Sequence, residues 1–256
     1  MSGSKRRLVA VPMFACLLLI GATTVRAFGV ESLRDDPKGT KQGSTLPLDT
    51  ANGLEVLGIS EKGAVPVKIQ SGVSNYHGRR AVRLVNDDGP AGTVSGGQVL
   101  AIIKGSDFED GTIEAEIAGF PRQGAKPSTR GFIGVAFRVQ DHGSRYEAFY
   151  LRMTNGRADD QLRRNHSAQY VSQPEFPWNR LRRESPGVYE SYVDIDPEAW
   201  TRIKVVVSGN KSQLYVNGAD RPCLIVNDLK LGVSRGQIAL WTGSDTEAYF
   251  SNLTIR

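Results

Sequence analysis

The sequence predicts an all-β fold, an antiparallel β-sandwich or jelly roll that carries one long ordered insertion. Three observations predict it. Short runs rich in Val, Ile, Tyr and Phe recur along the chain, turn residues (Gly, Asp, Asn, Pro) separate them, and no helix of convincing length stands between them. About ten such runs at this spacing make a sandwich or jelly roll rather than an α/β fold.

The clearest runs are Arg80–Val85, Gln98–Lys104, Gly111–Phe120, Gly131–Val139 and Arg145–Met153. The C-terminal third adds Trp200–Ser208, Ser212–Val216, Cys223–Val226, Gly236–Trp241 and Ala248–Ile255. Side chains alternate between faces along a strand. Ile133, Val135, Phe137 and Val139 therefore share an apolar face, and Phe132, Gly134, Ala136 and Arg138 share the other. In the next run Phe149 and Leu151 fall on one side, with Tyr146, Ala148, Tyr150 and Arg152 on the opposite one. Large aliphatics opposite a face of small residues, Tyr and Arg describe a sheet whose second face is concave and receives something polar. An ordinary solvent face also carries Tyr and Arg, and that reading stands beside the first.

Residues 154–192 break the rhythm: they are dense in Arg and aromatics and poor in aliphatics. A loop of this length without regular structure is usually functional or disordered. Tyr170, Phe176, Trp178 and Tyr189 argue for order. The segment is read as an ordered insertion over one sheet face, with one or two helical turns at Asp159–His166.

The first 27 residues read as an export signal rather than as part of the fold. Lys5, Arg6 and Arg7 precede the apolar run Leu8–Ile20, and Val25, Arg26 and Ala27 offer a small-residue cleavage pattern. A retained anchor is the alternative, although the run is short for a span. A secreted or periplasmic location is expected. Residues 28–45 are polar and read as a flexible spacer, which leaves 46–256 as one sandwich domain. The chain holds 32 basic and 27 acidic residues; four of the basic ones and no acid lie within 1–27, so 28 basic residues face 27 acids beyond it. That balance gives no reason to expect nucleic acid as a partner. Only Cys223 lies beyond the signal, so no internal disulfide is expected.

Five strings carry a family resemblance: "DFEDGTIEAEIAG", "RGFIGVAFRV", "RYEAFYLR", "WTRIKVVVSGNKSQLYVNG" and "GQIALWTGSDTEAYFSNLTI". In this order they resemble concanavalin A-like lectin/glucanase domains, and within that superfamily the laminin-G-like and 3-keto-disaccharide-hydrolase-like domains of exported bacterial proteins. Residues 98–256 carry the resemblance well and 46–97 loosely. The strings are core and turn features; Asn217-Gly218, for example, supplies the positive φ of a hairpin turn. The resemblance implies a concanavalin A-like jelly roll and carbohydrate as the ligand class, with glycoside-hydrolase-like chemistry as one outcome. Two stretches, "LPLDTANGLEVLG" and "LWTGSDTEAYF", depart from the keto-sugar hydrolase pattern.

The candidate chemistry lies in two places. Glu114 and Glu116 stand two residues apart on one strand, on one face and roughly 7 Å from each other, which is within the range of paired carboxylates in glycoside hydrolysis. Two acids on an exposed strand are the plainer reading. The richer constellation follows the strand at 145–153. Asp159 and Asp160 are candidate acid/base groups, and His166 beside them is a candidate general base. Arg152, Arg157, Arg163 and Arg164, with Asn155, Asn165 and Gln169, offer the planar donors and acceptors that sugar hydroxyls require. Tyr150, Tyr170 and Trp178 offer flat partners for pyranose C–H faces, and Arg138 and Tyr146 complete the concave face. Seven Arg against three acids between 152 and 183 point to an anionic glycan such as a uronic or sulfated one, or to guanidinium groups bonding the carbonyls of a long loop.

No cofactor is expected. Asp194, Asp196 and Glu198 alternate but lack the Gly and bidentate Glu of a calcium loop, so structural calcium is not indicated; no zinc-ligand spacing exists either. Three functions remain open from sequence: a glycan-binding domain that hydrolyses a glycosidic bond, a non-catalytic lectin-like module, and a protein-interaction domain using the same Arg-rich surface.

Overall fold

The computed structural model describes residues 44–45, 53–60, 63–66, 72–85 and 97–256; the expected export signal, and the spacer up to residue 43, lie outside them. The first strands are β1 (Ser44–Thr45), β2 (Leu54–Ser60), β3 (Gly63–Pro66), β4 (Gly72–Tyr76), β5 (Arg79–Val85) and β6 (Gln98–Ile103). Then come β7 (Gly111–Pro121), β8 (Phe132–Gln140), β9 (Arg145–Arg152), β10 (Ala168–Gln173) and β11 (Glu190–Ser191). The last are β12 (Thr201–Ser208), β13 (Lys211–Val216), β14 (Leu224–Val226), β15 (Gln237–Thr242) and β16 (Thr246–Ile255). Two short helices, α1 (Gln161–Asn165) and α2 (Trp178–Glu184), flank β10.

All pairings among these strands are antiparallel, and they build two sheets. The first runs β14-β13-β12-β7-β16-β5-β4, with β1 added at β16; the second runs β11-β10-β9-β8-β15-β6-β2-β3. The expected sandwich is therefore the observed fold, and all ten predicted runs are strands within a residue or two of the expected ends. Ile113, Ile117, Val205, Leu214 and Phe250 from one sheet and Ile133, Val135, Phe149, Leu151 and Leu240 from the other are buried in one core cluster. Each such side chain contributes about 1.5–3 kcal/mol by leaving water. Asn217 (φ 52°) and Gly218 (φ 73°) turn the chain after β13 as expected.

Two departures from strict alternation matter for the site. Pairing of β8 with β9 shifts register between Phe137 and Gln140, and Arg138 sits at φ 52°. This bulge turns the Arg138 side chain off the outer face and into the interior. The second departure is β10, which lies inside the segment 154–192. It pairs with β9 over six residues, Ala168↔Leu151 to Gln173↔Tyr146, so the middle of that segment is part of the sheet itself and only its flanks lie over the face. No described helix is long and apolar enough to cross a membrane.

Candidate functional site

The outer face of the second sheet gathers aromatic side chains where β8, β9, β10 and β15 lie side by side. Trp241 stands opposite Gly134 in the ladder, and Gly134 opposite Tyr150. Tyr150 and Trp241 stack with ring centroids 4.5 Å apart, and Phe132 meets Tyr150 edge-on at 6.2 Å. Gly134 is required here: a Cβ on it would lie 2.0 Å from the Phe149 carbonyl oxygen and 2.8 Å from Tyr150 Cβ. Over this floor stands Trp178, the first residue of α2, 44% exposed. The Arg182 guanidinium lies 4.8 Å and that of Arg152 5.9 Å from its ring centroid.

Between Trp178 and the floor is a cavity of about 400 Å³ whose cationic lining is Arg130, Arg152, Arg163 and Arg182, with His166. Phe132, Tyr150 and Trp178 form its aromatic walls, and no carboxylate lines it. The same three aromatics wall a smaller adjoining cavity of about 100 Å³ that reaches Gln98, Trp241 and Gln173.

The guanidinium groups differ in how they are held. Arg182 is doubly bonded to Glu190, with Nε to Oε1 at 3.0 Å and Nη2 to Oε2 at 2.6 Å. Arg152 donates to the His166 carbonyl at 2.9 Å, to Tyr150 Oη at 3.1 Å and to Gln169 Oε1 at 3.1 Å. Arg130 donates to the carbonyls of Pro127 and Thr129, and Arg163 to that of Thr154. Arg130, Arg152 and Arg163 thus have no carboxylate partner among the described residues. Burial, then repulsion from Arg163 and Arg152, holds the Arg130 guanidinium below its ordinary pKa. Arg163 Nε and Asn155 Oδ1 are buried without a hydrogen-bond partner at this same lining. This end of the cavity therefore concentrates guanidinium groups that no carboxylate neutralises among the described residues.

His166 closes one end. Its Nε2 lies 3.2 Å from Glu190 Oε1, a carboxylate only 4% exposed. Burial lowers the imidazole pKa, Arg182 and Arg152 lower it further, and Glu190 and Asp160 oppose them; the net shift is downward. His166 is therefore neutral at pH 7.

Of the residues singled out from sequence, Tyr150, Arg152, Asn155, Arg163, His166 and Trp178 line this cavity. Gln169 lies beneath it and anchors Arg152. Asn165, Arg157, Arg164 and Asp159 stand on neighbouring surface, where Asn165 accepts from Gln161, Arg157 pairs with Asp194 and Asp196, and Arg164 reaches Tyr192. Asp160 caps α1 by accepting from the Arg163 N–H at 2.9 Å, a structural duty.

Five residues are placed elsewhere than expected. Glu114 and Glu116 are on the outer face of the other sheet, held by Arg202 and Arg256 and by Arg79 and Asn252. Arg138 is fully buried; its donors go to the carbonyls of Glu109, Gly209 and Gly232 and to Asp110 and Glu147. Tyr170 is a core residue because it pairs with Phe149 and shares its inward face, and its hydroxyl donates to Glu147 at 2.6 Å. Tyr146 faces outward as expected, but it is fully buried and its hydroxyl is engaged by Gln98 and Trp241. Sequence reasoning missed Arg130, Phe132, Arg182, Glu190 and Trp241 as site residues. The alternation that placed Phe132 on the face of Tyr150 was a usable signal; the Arg182–Glu190–His166 contact left none.

A family model for the 3-keto-alpha-glucoside-1,2-lyase-like domain matches residues 62–256, and the chain belongs to this family. Among solved structures, the chain is similar to a protein of unknown function with a galectin-like fold from Bacillus subtilis (10% identity, TM-score 0.50, 84% of this chain and 97% of that one). It is also similar to the carbohydrate binding module CBM66 from Bacillus subtilis (15% identity, TM-score 0.46, 73% of this chain and 92% of that one). At such identity the first likeness bears on the fold alone. No curated protein matches the chain.

Proposed function

We propose that this protein is an exported carbohydrate-active domain whose cavity on the outer face of the second sheet binds an acidic saccharide. The carrying observation is the lining: three guanidinium groups without a carboxylate partner, set against an indole and a phenol, with no acid among them. A sugar carboxylate or sulfate meets the guanidinium groups of Arg130 and Arg163, and the pyranose face lies on Trp178. The smaller adjoining cavity takes a neighbouring sugar. Family membership supports carbohydrate as the ligand class, since the family is named for a lyase acting on a keto-glucoside.

Hydrolysis by a pair of carboxylates has less support. Glycoside hydrolases set two carboxyl groups about 5–9.5 Å apart around the bond, and Asp159, Asp160, Glu114 and Glu116 all stand away from this cavity. The test is binding of polygalacturonate, alginate and hyaluronan, compared with neutral xylan and starch, by affinity electrophoresis at low and high salt. Retardation by at least one acidic polymer, weakened by salt, is the expected result. Equal retardation by the neutral polymers, or none at all, would overturn the reading.

A further inference from the structure

A third cavity, of about 690 Å³, adjoins the cationic one, and His166 and Arg182 line both. Its other walls come from the two stretches that flank β10: Leu162 from α1, Pro186 and Gly187 from the turn after α2, and Tyr192 from just beyond β11. Leu162 is 66% exposed and Tyr192 40%. With Trp178 and Val188 they are four of the seven large apolar side chains exposed among the described residues, and all four fall between 162 and 192. Single apolar side chains at a surface are ordinary, whereas a gathering of them marks a contact. The charge of this third cavity is already balanced. Its lining holds one cation and one carboxylate, Arg182 and Glu190, bonded to each other at 3.0 and 2.6 Å. His166 is neutral at pH 7, and Arg164 holds the Tyr192 ring by its hydroxyl at 3.0 Å. An apolar cavity with no net charge thus continues from one rich in unneutralised guanidinium.

We propose that the ligand is an amphipathic glycoconjugate, an acidic saccharide carrying an apolar aryl or alkyl group that Leu162, Pro186 and Tyr192 receive. This rests on the acidic-saccharide reading above and names what is attached to the sugar. The shared wall puts both parts on one molecule. A ligand lying against His166 and Arg182 has acid-binding guanidinium groups on one side and an uncharged apolar hollow on the other. A further sugar in that hollow would set its hydroxyls against Leu162 and Pro186, whose side chains offer no donor or acceptor in return. An apolar group instead takes the exposed surface of Leu162 and Tyr192 out of water.

The experiment measures binding of the full chain to polygalacturonate, alginate and hyaluronan, and to the same polymers bearing phenylethyl or hexyl amides on a minority of their carboxyl groups. Dextran grafted with the same two groups is the control without acid. At least one acidic polymer is expected to bind about 10-fold more tightly once grafted, the gain from taking the group partly out of water. Grafted dextran is expected not to bind. The graft that gains more tells an aryl from an alkyl occupant. Leu162→Gln and Tyr192→Thr, both at exposed positions, are each expected to remove most of the gain, with binding of the ungrafted polymer within about twofold and an unchanged melting temperature. No gain from either graft, with an ungrafted polymer still bound, would overturn the proposal and leave the acidic-saccharide reading standing. Absence of binding to all three ungrafted polymers would overturn both. Grafted dextran binding as well as the grafted acids would overturn the joint ligand, and a gain that persists in both variants would overturn its assignment to this cavity. A wild-type dimer in sedimentation that Leu162→Gln dissociates would give the cavity to a second copy of the chain and overturn the proposal as well.

Discussion

Arg138→Met separates a clamp of the fold from a ligand-binding residue. The substitution keeps an unbranched stem and removes every polar contact of a side chain that is completely buried. Those contacts run to the carbonyls of Glu109 at 3.0 Å, Gly209 at 2.7 Å and Gly232 at 2.5 Å, and to Asp110 at 3.1 Å and Glu147 at 3.5 Å. Asp110 is half exposed and regains water when the guanidinium is lost, so its share is small. Glu147 has no exposure at all, and the three carbonyls lose their donor, so the cost belongs to them. Breaking a buried charge network from one side costs about 3–5 kcal/mol. At about 2–4 °C per kcal/mol for a domain of this size, the melting temperature falls by roughly 6–20 °C. Thermal and urea denaturation measure it. Adding Glu147→Gln removes the stranded carboxylate and should recover about 1–3 kcal/mol. A loss below about 1 kcal/mol accompanied by lost glycan binding would refute the reasoning and return Arg138 to the ligand site.

Other outcomes are expected from the same structure. Burial raises the Glu147 pKa in the fold above its unfolded value, outweighing Tyr170, the Leu231 N–H and Arg138, so the stability it contributes is present at low pH and lost as pH rises through the folded value. Melting curves of Glu147→Gln against wild type across about pH 4–7 should therefore favour the variant increasingly as pH rises; a gap independent of pH would count against it. Trp178→Ala should weaken acidic-glycan binding by about 5- to 30-fold, or 1–2 kcal/mol, through loss of a stacking face flanked by two guanidinium groups. Its melting temperature should stay within a few degrees, because the ring is 44% exposed. Glu114→Gln combined with Glu116→Gln should leave acidic-glycan binding unchanged, and a large loss would move the site to the opposite sheet.

Much of the fold was legible because its signals are local. Ile203, Val205 and Val207 alternate with Arg202 and Lys204, and that pattern alone gives a strand and its inward face. The same two-residue period correctly put Tyr150 and Arg152 on the face of Phe132. It failed at Arg138, because one left-handed residue in a bulge reverses the alternation and nothing in "AFRVQD" announces it. It failed again at Ala168–Gln173, whose composition is that of a loop; its partner β9 makes it a strand and carries Tyr170 into the core. Glu190 was invisible for a different reason. Its partners lie 8 and 24 positions earlier, and only the folded chain brings that carboxylate between Arg182 and His166.

The placement of β10 has a consequence for how recognition is distributed along the chain. The strand is locked between β9 and β11, so the residues before and after it are anchored at both ends by sheet. One stretch, between β9 and β10, presents Asn155, Arg163 and His166; the other, between β10 and β11, presents Trp178 and Arg182. Half of the cavity wall thus comes from two short stretches hung on either end of one strand, and the other half from β8, β9 and the turn before β8. Replacing the residues of those two stretches should therefore reshape one wall of the cavity while the sheet that anchors them at both ends keeps its pairing.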